Sequence, residues 1–204
     1  MKRIGVIGGT FDPVHRGHIS LAEDALEQAH LTRVYFMPAA QQPFKLGQRV
    51  TPVEVRIAML EAALAGRRGL AVSRLEVELG GISYTCRTLS ALRQRRPGCE
   101  LYFITGTDTY LKLHLWKDAD RLLRENAFIV GERPGCRGTE LRAKMKEYQK
   151  KYGTRTLLID NDRLDISSTE IRDRVAAGQP IGDLVPEGAE RYIHEHGLYA
   201  PIRA

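Results

Sequence analysis

Residues 3–18 read RIGVIGGTFDPVHRGH. The stretch begins as a short apolar run typical of buried strands, passes through two adjacent glycines into a polar loop, and enters a helical pattern at His18. In doubly wound α/β folds, the loop between the first strand and the first helix lies at the carboxyl edge of the sheet, where phosphate groups bind. This stretch therefore predicts a parallel sheet with a ligand site directly after its first strand.

The same alternation of strand and helix continues along the chain. Apolar runs predict the first strand at 3–7 and further strands at 33–37, 70–72, 100–105, 127–130 and 156–159. Periodic segments predict helices at 18–29, 53–65, 85–95, 119–124, 140–152 and 186–198. The sequence TPVE at 51–54 predicts a capping box at the start of one helix. The pattern is typical of a single-domain α/β protein with a doubly wound parallel sheet, and we expect one domain over residues 1–204.

The composition excludes several broad classes of protein. The 204 residues are 43% hydrophobic and 27% charged, which is enough for one packed core. The first apolar run is too short for a signal peptide, and no run is long enough to span a membrane, so we expect a cytoplasmic protein that does not act at a membrane. Three widely spaced cysteines predict neither a disulfide framework nor a zinc site.

The net charge of +6 is compatible with two kinds of partner, nucleic acid and small polyanions such as ATP. The basic runs at 93–96, 144–146 and 150–151 fall in polar helical stretches, and none of the runs contains an aromatic residue of the kind that stacks on bases. We interpret these runs as solvated helix faces, although charge alone does not choose between the partners.

The loop of the opening stretch matches neither the G-x-G-x-x-G fingerprint nor a P-loop, because its glycines are spaced differently and no G-K-[ST] follows. The N–H groups of Gly8 and Gly9 can approach phosphate oxygens closely, and His15 and His18 share one face if a helix begins near them. Two imidazoles at a positive helix end suit the charge that develops when the α-phosphorus of a triphosphate is attacked. Zinc is the alternative, but the sequence offers no evident third ligand.

A second candidate anion site, the sequence ISSTEIR, lies near the other end of the chain. Ser167 and Glu170 have capping-box spacing, so a helix start explains part of the segment. The hydroxyls of Ser167, Ser168 and Thr169 would then lie at a helix N-terminus, with Arg172 one turn further, and each group could donate to phosphate. Because parallel strands end at one edge of a sheet, both segments could share one ATP.

Both segments resemble motifs of one family. The first is similar to the T/G-F-D-P-x-H-x-G-H signature of nucleotidyltransferases with an H-x-G-H motif, and it resembles the bacterial nicotinate-nucleotide adenylyltransferases most closely; the second is similar to their I-S-S-T-x-I-R motif. The resemblance implies that His15 and His18 contact the ATP phosphates and stabilise the pentavalent transition state, with Arg172 opposite the departing pyrophosphate. The residues implied to bind the nucleotide and its phosphates are Gly8, Gly9, Thr10, Phe11, Ser167, Ser168 and Thr169.

The middle of the chain resembles the parts of the family that bind the acceptor. The sequence GGISYTCRTL is similar to G-x-S-Y-T-x-D-T-L, which implies that Thr85 lies at the pyridine carboxylate, although Arg87 replaces the usual acidic residue. Gly106 and Asp108 match G-x-D, which implies contacts to the nucleotide ribose and phosphate. Trp116, the only tryptophan, matches a W-K motif that implies stacking on the pyridine ring; without that context a core aromatic is the better interpretation.

Three shorter matches concern single side chains. The sequence PFK is similar to P-H-K with Phe44 in place of histidine, and Lys45 either reaches the acceptor phosphate or is an ordinary exposed lysine. Arg133 lies in a stretch similar to the family's R-P-G loop, which implies a nucleotide contact that we group with the acceptor site. Arg56 and Met59 fit R-x-x-M, which an ordinary helix face explains well.

The reaction implied by the resemblance is transfer of AMP from ATP to nicotinate mononucleotide, which gives deamido-NAD and pyrophosphate. The acceptor phosphate is already an anionic nucleophile, so alignment and charge neutralisation matter more than a general base. Magnesium would be held mainly by triphosphate oxygens and water.

Three alternatives to this reaction stay open. The acceptor could be nicotinamide mononucleotide, or phosphopantetheine, which is disfavoured because its enzymes usually have threonine in place of His15. A noncatalytic basic module for nucleic acid is the alternative from another class, but no reading-helix or stacking-sheet motif supports it. We therefore expect small-molecule partners and no nucleic acid, and a homo-oligomer stays open.

Overall fold

The computed structural model describes residues 1–45, 47–132, 138–161 and 165–201. Six parallel strands form one sheet in the order β3-β2-β1-β4-β5-β6. The strands are β1 (Lys2–Gly9), β2 (Arg33–Pro38), β3 (Leu70–Val72), β4 (Cys99–Gly106), β5 (Ala127–Glu132) and β6 (Arg155–Asp160). All six lie where the sequence predicts them, to within two residues at each end.

Helices connect the strands on both faces of the sheet. They are α1 (Arg16–Gln28), α2 (Val53–Leu64), α3 (Leu75–Leu79), α4 (Thr85–Arg95), α5 (Thr107–Tyr110), α6 (Ala119–Glu125), α7 (Gly138–Tyr152), α8 (Ser168–Ala176) and α9 (Glu187–Glu195), with 3₁₀ turns at Pro43–Lys45 and Leu113–Leu115. The helices predicted from periodicity are present; α3 and α5 are too short to show a helical period. Within the described ranges, no helix is both long enough and apolar enough to cross a membrane.

The chain winds outward from the middle of the sheet in two directions. It passes from β1 to β2 and β3 on one side, then returns to β4 beside β1 and continues to β5 and β6. Val6 and Ile7 are neighbours on β1 but are buried in different hydrophobic cores, so helices cover both faces. This is the predicted doubly wound α/β fold, and its change of direction lies between β1 and β4.

The C-terminal helix is anchored by close backbone packing. Helix α9 packs against α2, and a Cβ atom at Gly188 would lie 2.1 Å from the carbonyl oxygen of Ala62. Only glycine fits this crossing, because the neighbouring atom belongs to helix backbone that cannot move aside. Ala189 and Ile193 of the same helix are fully buried, which fixes the start of the segment that leads back to the candidate site.

The prediction of a capping box at residues 51–54 is wrong. Pro52 is the N-cap of α2, and no side chain caps the helix. The backbone N–H of Thr51 instead donates to Asp12 Oδ2 at 3.2 Å, and Glu54 forms an ion pair with Arg74 at 2.6 Å. Local spacing fails here because both groups find partners outside the helix.

Candidate active site

The loop after β1 is anchored by the buried side chain of Arg56. This side chain is only 2% exposed, and it donates to the carbonyl oxygens of Thr51 at 2.8 Å, Thr10 at 2.6 Å and Ala39 at 2.8 Å. Burial lowers the pKa of Arg56, and the nearby Asp12 carboxylate opposes that effect. The guanidinium therefore connects the loop after β1 to the end of β2 and to the start of α2.

His15 and His18 lie together at the start of α1. His15 is the N-cap, the two ring centroids are 3.6 Å apart with 27° between the planes, and the His15 backbone N–H donates to His18 Nδ1 at 3.3 Å. Buried Phe11 packs edge-on against His18, with 5.0 Å between centroids. A neutral His18 ring that accepts at Nδ1 carries its proton on Nε2, so it can donate to an anion at the positive end of α1. Both imidazoles thus share one face, as their spacing predicts.

The start of helix α8 docks onto the same loop. Ser167 is the N-cap and accepts from the backbone N–H of Glu170 at 3.1 Å, as the capping-box spacing predicts. Ser168 Oγ donates to the carbonyl oxygen of Pro13 at 2.8 Å, across 155 positions of sequence. The hydroxyls of Ser167 and Ser168 therefore cap and dock the helix.

Arg172 extends this contact by one helical turn. Its guanidinium donates to the carbonyl oxygen of Asp12 at 2.7 Å and to Thr169 Oγ1 at 3.1 Å. The two predicted anion-binding segments, the loop after β1 and the start of α8, are thus in direct contact. A single triphosphate could reach both.

A pocket of about 370 Å³ opens beside the glycines of this loop. Gly8, Gly9, Thr85 and Trp116 all line it. Thr85 is the first residue of α4, and Trp116 packs edge-on against buried Phe103, with 6.0 Å between centroids. The structure thus brings two predicted acceptor residues to the predicted nucleotide loop, in a mostly apolar pocket of the kind that binds small molecules.

Lys45 lines an adjoining cleft of about 390 Å³. Burial lowers the pKa of Lys45; the positive charge of Arg172 lowers it too, Asp12 raises it, and Arg56 again lowers it. One ammonium and two guanidinium groups therefore influence one another here, so the cleft concentrates positive charge that suits an anionic ligand.

The remaining predicted residues lie elsewhere or outside the described ranges. Gly106 ends β4, where it pairs with Gly131 of β5, and Asp108 is exposed in the first turn of α5. Both are at the carboxyl edge of the sheet, but neither lines the two cavities. Arg133 is not among the described residues.

Comparison with known proteins decides the family. The cytidylyltransferase-like family matches residues 6–174. A Moorella thermoacetica protein named "Probable nicotinate-nucleotide adenylyltransferase" is 42% identical over 200 residues, which cover 98% of this chain and 92% of that protein. A Clostridium botulinum protein of the same name is 38% identical over 200 residues, which cover 98% of each.

The chain belongs to the nicotinate-nucleotide adenylyltransferase family. Solved structures share its fold: Plasmodium falciparum nicotinic acid mononucleotide adenylyltransferase complexed with NaAD gives a TM-score of 0.78 at 21% identity, over 98% of both chains. The same enzyme complexed with APC gives a TM-score of 0.75 at 21% identity, over 98% of both chains.

Three residues near the site are not identified by sequence reasoning. Arg56 is a buried clasp, so its interpretation as an ordinary helix face is wrong, and Tyr199 donates to Asp12 from the C-terminal segment. Glu76 lines the pocket and accepts from Thr88 Oγ1 at 2.8 Å, and burial raises its pKa. For Arg56, the match to the family's R-x-x-M motif indicates a role beyond a helix face. The contacts of Tyr199 and Glu76 depend on which segments the fold brings together, and no motif indicates them.

Two departures from the family motifs have distinct structural consequences. Arg87 donates to the carbonyl oxygens of Leu79 at 2.8 Å and Gly80 at 2.9 Å. It thereby caps the C-terminus of α3, where the chain leaves the helix at Gly80 with φ of 63°. Phe44 lies at the mouth of the pocket, where its ring faces Trp116.

Proposed function

We propose that this protein transfers AMP from ATP to nicotinate mononucleotide and releases deamido-NAD and pyrophosphate. The observation that carries the proposal is the direct contact between the loop that contains His15 and His18 and the helix start that contains Arg172, beside the pocket lined by Thr85 and Trp116. The names of the relatives and of the NaAD-bound structure support the same reaction.

The ATP triphosphate is assigned to the junction of the loop and α8. The loop residues Gly8, Gly9, Thr10 and Phe11 bring backbone groups close to the phosphates, at the positive end of α1. His15 and His18 would stabilise charge on the α-phosphoryl group, and the Arg172 fork would oppose charge on the leaving pyrophosphate.

The three hydroxyl residues at the start of α8 have more specific roles. Ser167 and Ser168 place the helix, because their hydroxyls are engaged with backbone groups. Thr169 Oγ1 accepts from Arg172 and so orients the guanidinium. Their contribution to phosphate binding is therefore mainly to position Arg172 and the N–H groups of the first helical turn.

The acceptor is assigned to the pocket and the adjoining cleft. Its pyridine ring would stack on Trp116, and its carboxylate would meet Thr85 at the N-terminus of α4, where negative charge is favoured. Its phosphate would extend toward Lys45. This arrangement aligns the nucleophile with the triphosphate, which is the main requirement of the step.

The chemistry is an in-line displacement at the α-phosphorus. An oxygen of the acceptor phosphate forms the new P–O bond while the bond to the β-phosphate bridging oxygen breaks, and pyrophosphate leaves with the electron pair. No proton has to be removed from the nucleophile. Magnesium would enter with ATP, because Mg²⁺ is commonly held by triphosphate oxygens and water.

Several assignments from the sequence stay predictions. They are the nucleotide contacts of Gly106, Asp108 and Arg133, the single-domain boundaries 1–204, the cytoplasmic location, and the absence of a nucleic-acid partner. Nicotinamide mononucleotide as a second acceptor also stays open.

The test is pyrophosphate release from the purified protein with MgATP and one of three acceptors: nicotinate mononucleotide, nicotinamide mononucleotide or phosphopantetheine. We expect turnover with the nicotinate compound, loss of roughly 100-fold or more in His18→Ala, and no loss in His194→Ala, which removes an exposed imidazole on α9. Turnover only with another acceptor would replace the proposed one. No turnover with any of the three would overturn the proposal.

A further inference from the structure

An exposed aromatic ring lies at the mouth of the acceptor pocket. Phe44 is 65% exposed although its backbone N–H is held by Gln42 Oε1 at 3.2 Å. Leu115, at the same mouth, is 69% exposed. Large apolar side chains left in water beside a pocket commonly mark a surface that a ligand covers.

The ring of Phe44 faces Trp116 across the opening. Their centroids are 6.5 Å apart and their planes are inclined by 52°. Trp116 is supported by the edge-on ring of buried Phe103, so it is the fixed member of the pair. Phe44 is the movable member, because its exposed side chain can rotate into solvent.

The gap between the two rings is close to the thickness of one inserted ring. Aromatic carbon atoms in contact are about 3.5–4.0 Å apart, so a flat ring between two others needs roughly 7–8 Å. The observed 6.5 Å separation would have to widen by about 1 Å, and the planes would have to become more nearly parallel. Rotation of the exposed Phe44 side chain can provide both changes.

The chemistry of the acceptor favours such an arrangement. The pyridine nitrogen of a mononucleotide is quaternised by its bond to ribose, so the ring carries positive charge and is attracted to the faces of Trp and Phe. Phenylalanine carries no charge at any pH, whereas the histidine of the family's P-H-K motif would become cationic in acid and repel this ring.

We propose that Phe44 and Trp116 form a two-sided aromatic clamp on the pyridinium ring of the acceptor, in which Phe44 is the movable side. The inference rests on the proposed function, because it requires the pyridine ring to occupy this pocket. It adds to that function a binding residue at a position where this chain departs from the family motif.

The test uses Trp116 as the probe, because it is the only tryptophan of the chain. Titration with nicotinate mononucleotide without ATP should change its fluorescence and give a dissociation constant. Phe44→Ala and Phe44→Leu should raise that constant roughly fivefold to tenfold, while Phe44→Tyr should restore it. KM for the acceptor should rise in parallel and kcat should stay near the wild-type value, because the phosphate chemistry is untouched.

Phe44→His supplies a readout that a structural role would not produce. The affinity of Phe44→His for the acceptor should fall as the pH drops below about 6.5, where the imidazole becomes charged. The wild type and Phe44→Tyr should not show this fall, and their affinities should follow the same pH dependence. Leu115→Ala is the matched control for apolar area at the same mouth. Because Phe44 is exposed, these variants should keep the circular dichroism spectrum of the wild type.

The outcomes separate the clamp from the proposed function. If the wild type binds and adenylates nicotinate mononucleotide but Phe44→Leu binds it within twofold of wild type, only the clamp is overturned. An equal loss of acceptor affinity in Leu115→Ala and Phe44→Ala would also overturn the clamp. The buried apolar area, rather than the aromatic face of Phe44, would then account for the affinity. If the wild type neither binds nor adenylates this acceptor, both proposals fail.

Discussion

Tyr199 donates its hydroxyl proton to Asp12 Oδ1 at 2.7 Å, across 187 positions of sequence. Asp12 is 5% exposed, and its other carboxylate oxygen accepts from the Thr51 backbone N–H at 3.2 Å. Burial and the hydrogen bond to Asp12 raise the pKa of Tyr199, so the phenol stays protonated over the working range of the protein. The C-terminal segment thus supports the loop whose carbonyl group at Asp12 also holds Arg172.

The first prediction removes this hydroxyl. Tyr199→Phe keeps the ring but leaves a buried carboxylate with one donor fewer, so the free energy of unfolding should fall by about 1.5–3 kcal/mol in urea titrations at pH 7. The kcat/KM for ATP should fall as well, because the loop is less firmly placed. Tyr192→Phe, at a half-buried ring on α9 that stacks on His196, is the control. Equal stability of the two variants would show that the Asp12 contact contributes nothing.

The second prediction separates two arginines on one helix. Arg172 contacts the loop, whereas Arg174 pairs with Glu170 at 2.8 Å and Asp183 at 3.2 Å. Arg172→Lys should lower kcat/KM by roughly 100-fold, because an ammonium cannot hold the loop carbonyl and present a fork to the pyrophosphate at once. Arg174→Lys should stay near wild type. Steady-state pyrophosphate release measures both, and a loss of similar size in each variant would contradict a specific role for Arg172.

The strands and the first loop can be predicted from local sequence because the pattern of neighbouring residues determines them. The apolar run of β4 is buried over Leu101–Ile104, and the spacing of His15 and His18 places two rings on one face of any helix that begins there. The contacts that complete the site are different in kind. The Arg56 clasp depends on how α2 approaches two other segments, and no local spacing contains that information.

The error at the start of α2 has the same origin. Spacing alone suggests that Thr51 and Glu54 cap the helix, but the tertiary structure places the buried Asp12 carboxylate within reach of the Thr51 N–H and pairs Glu54 with Arg74. The environment of Lys45 also cannot be predicted from the sequence, which does not distinguish this residue from an ordinary exposed lysine. Only the fold shows that burial and two guanidinium groups act on its ammonium.

The third prediction concerns the buried carboxyl of Glu76. Burial raises its pKa above the ordinary 4.5, although hydrogen bonds from Ser83 and Thr88 oppose the shift. The unfolded chain therefore loses this proton at lower pH than the folded one, so the contribution to stability is present below about pH 4.5 and is lost as the pH rises through the folded pKa. Glu76→Gln should thus gain stability relative to wild type between pH 4.5 and pH 7.

Urea titrations at the two pH values measure this difference. Glu78→Gln is the control, because that carboxylate lies on the exposed side of the same short helix, paired with Arg95. It should leave the pH dependence close to that of the wild type. If Glu76→Gln shows no relative gain from pH 4.5 to pH 7, the folded protein does not disfavour the ionised form of Glu76.

The last prediction uses the lowered pKa of Lys45. Because burial, Arg172 and Arg56 all disfavour its charged form while Asp12 favours it, Lys45 should lose its proton at a pH below the ordinary 10.5. If its ammonium holds the acceptor phosphate, kcat/KM for nicotinate mononucleotide falls on the alkaline side as that proton is lost. Lys45→Arg stays charged there, so its alkaline fall should move to higher pH. Lys150→Arg, on α7, should keep the wild-type profile; an unmoved profile in Lys45→Arg would place the titrating group elsewhere.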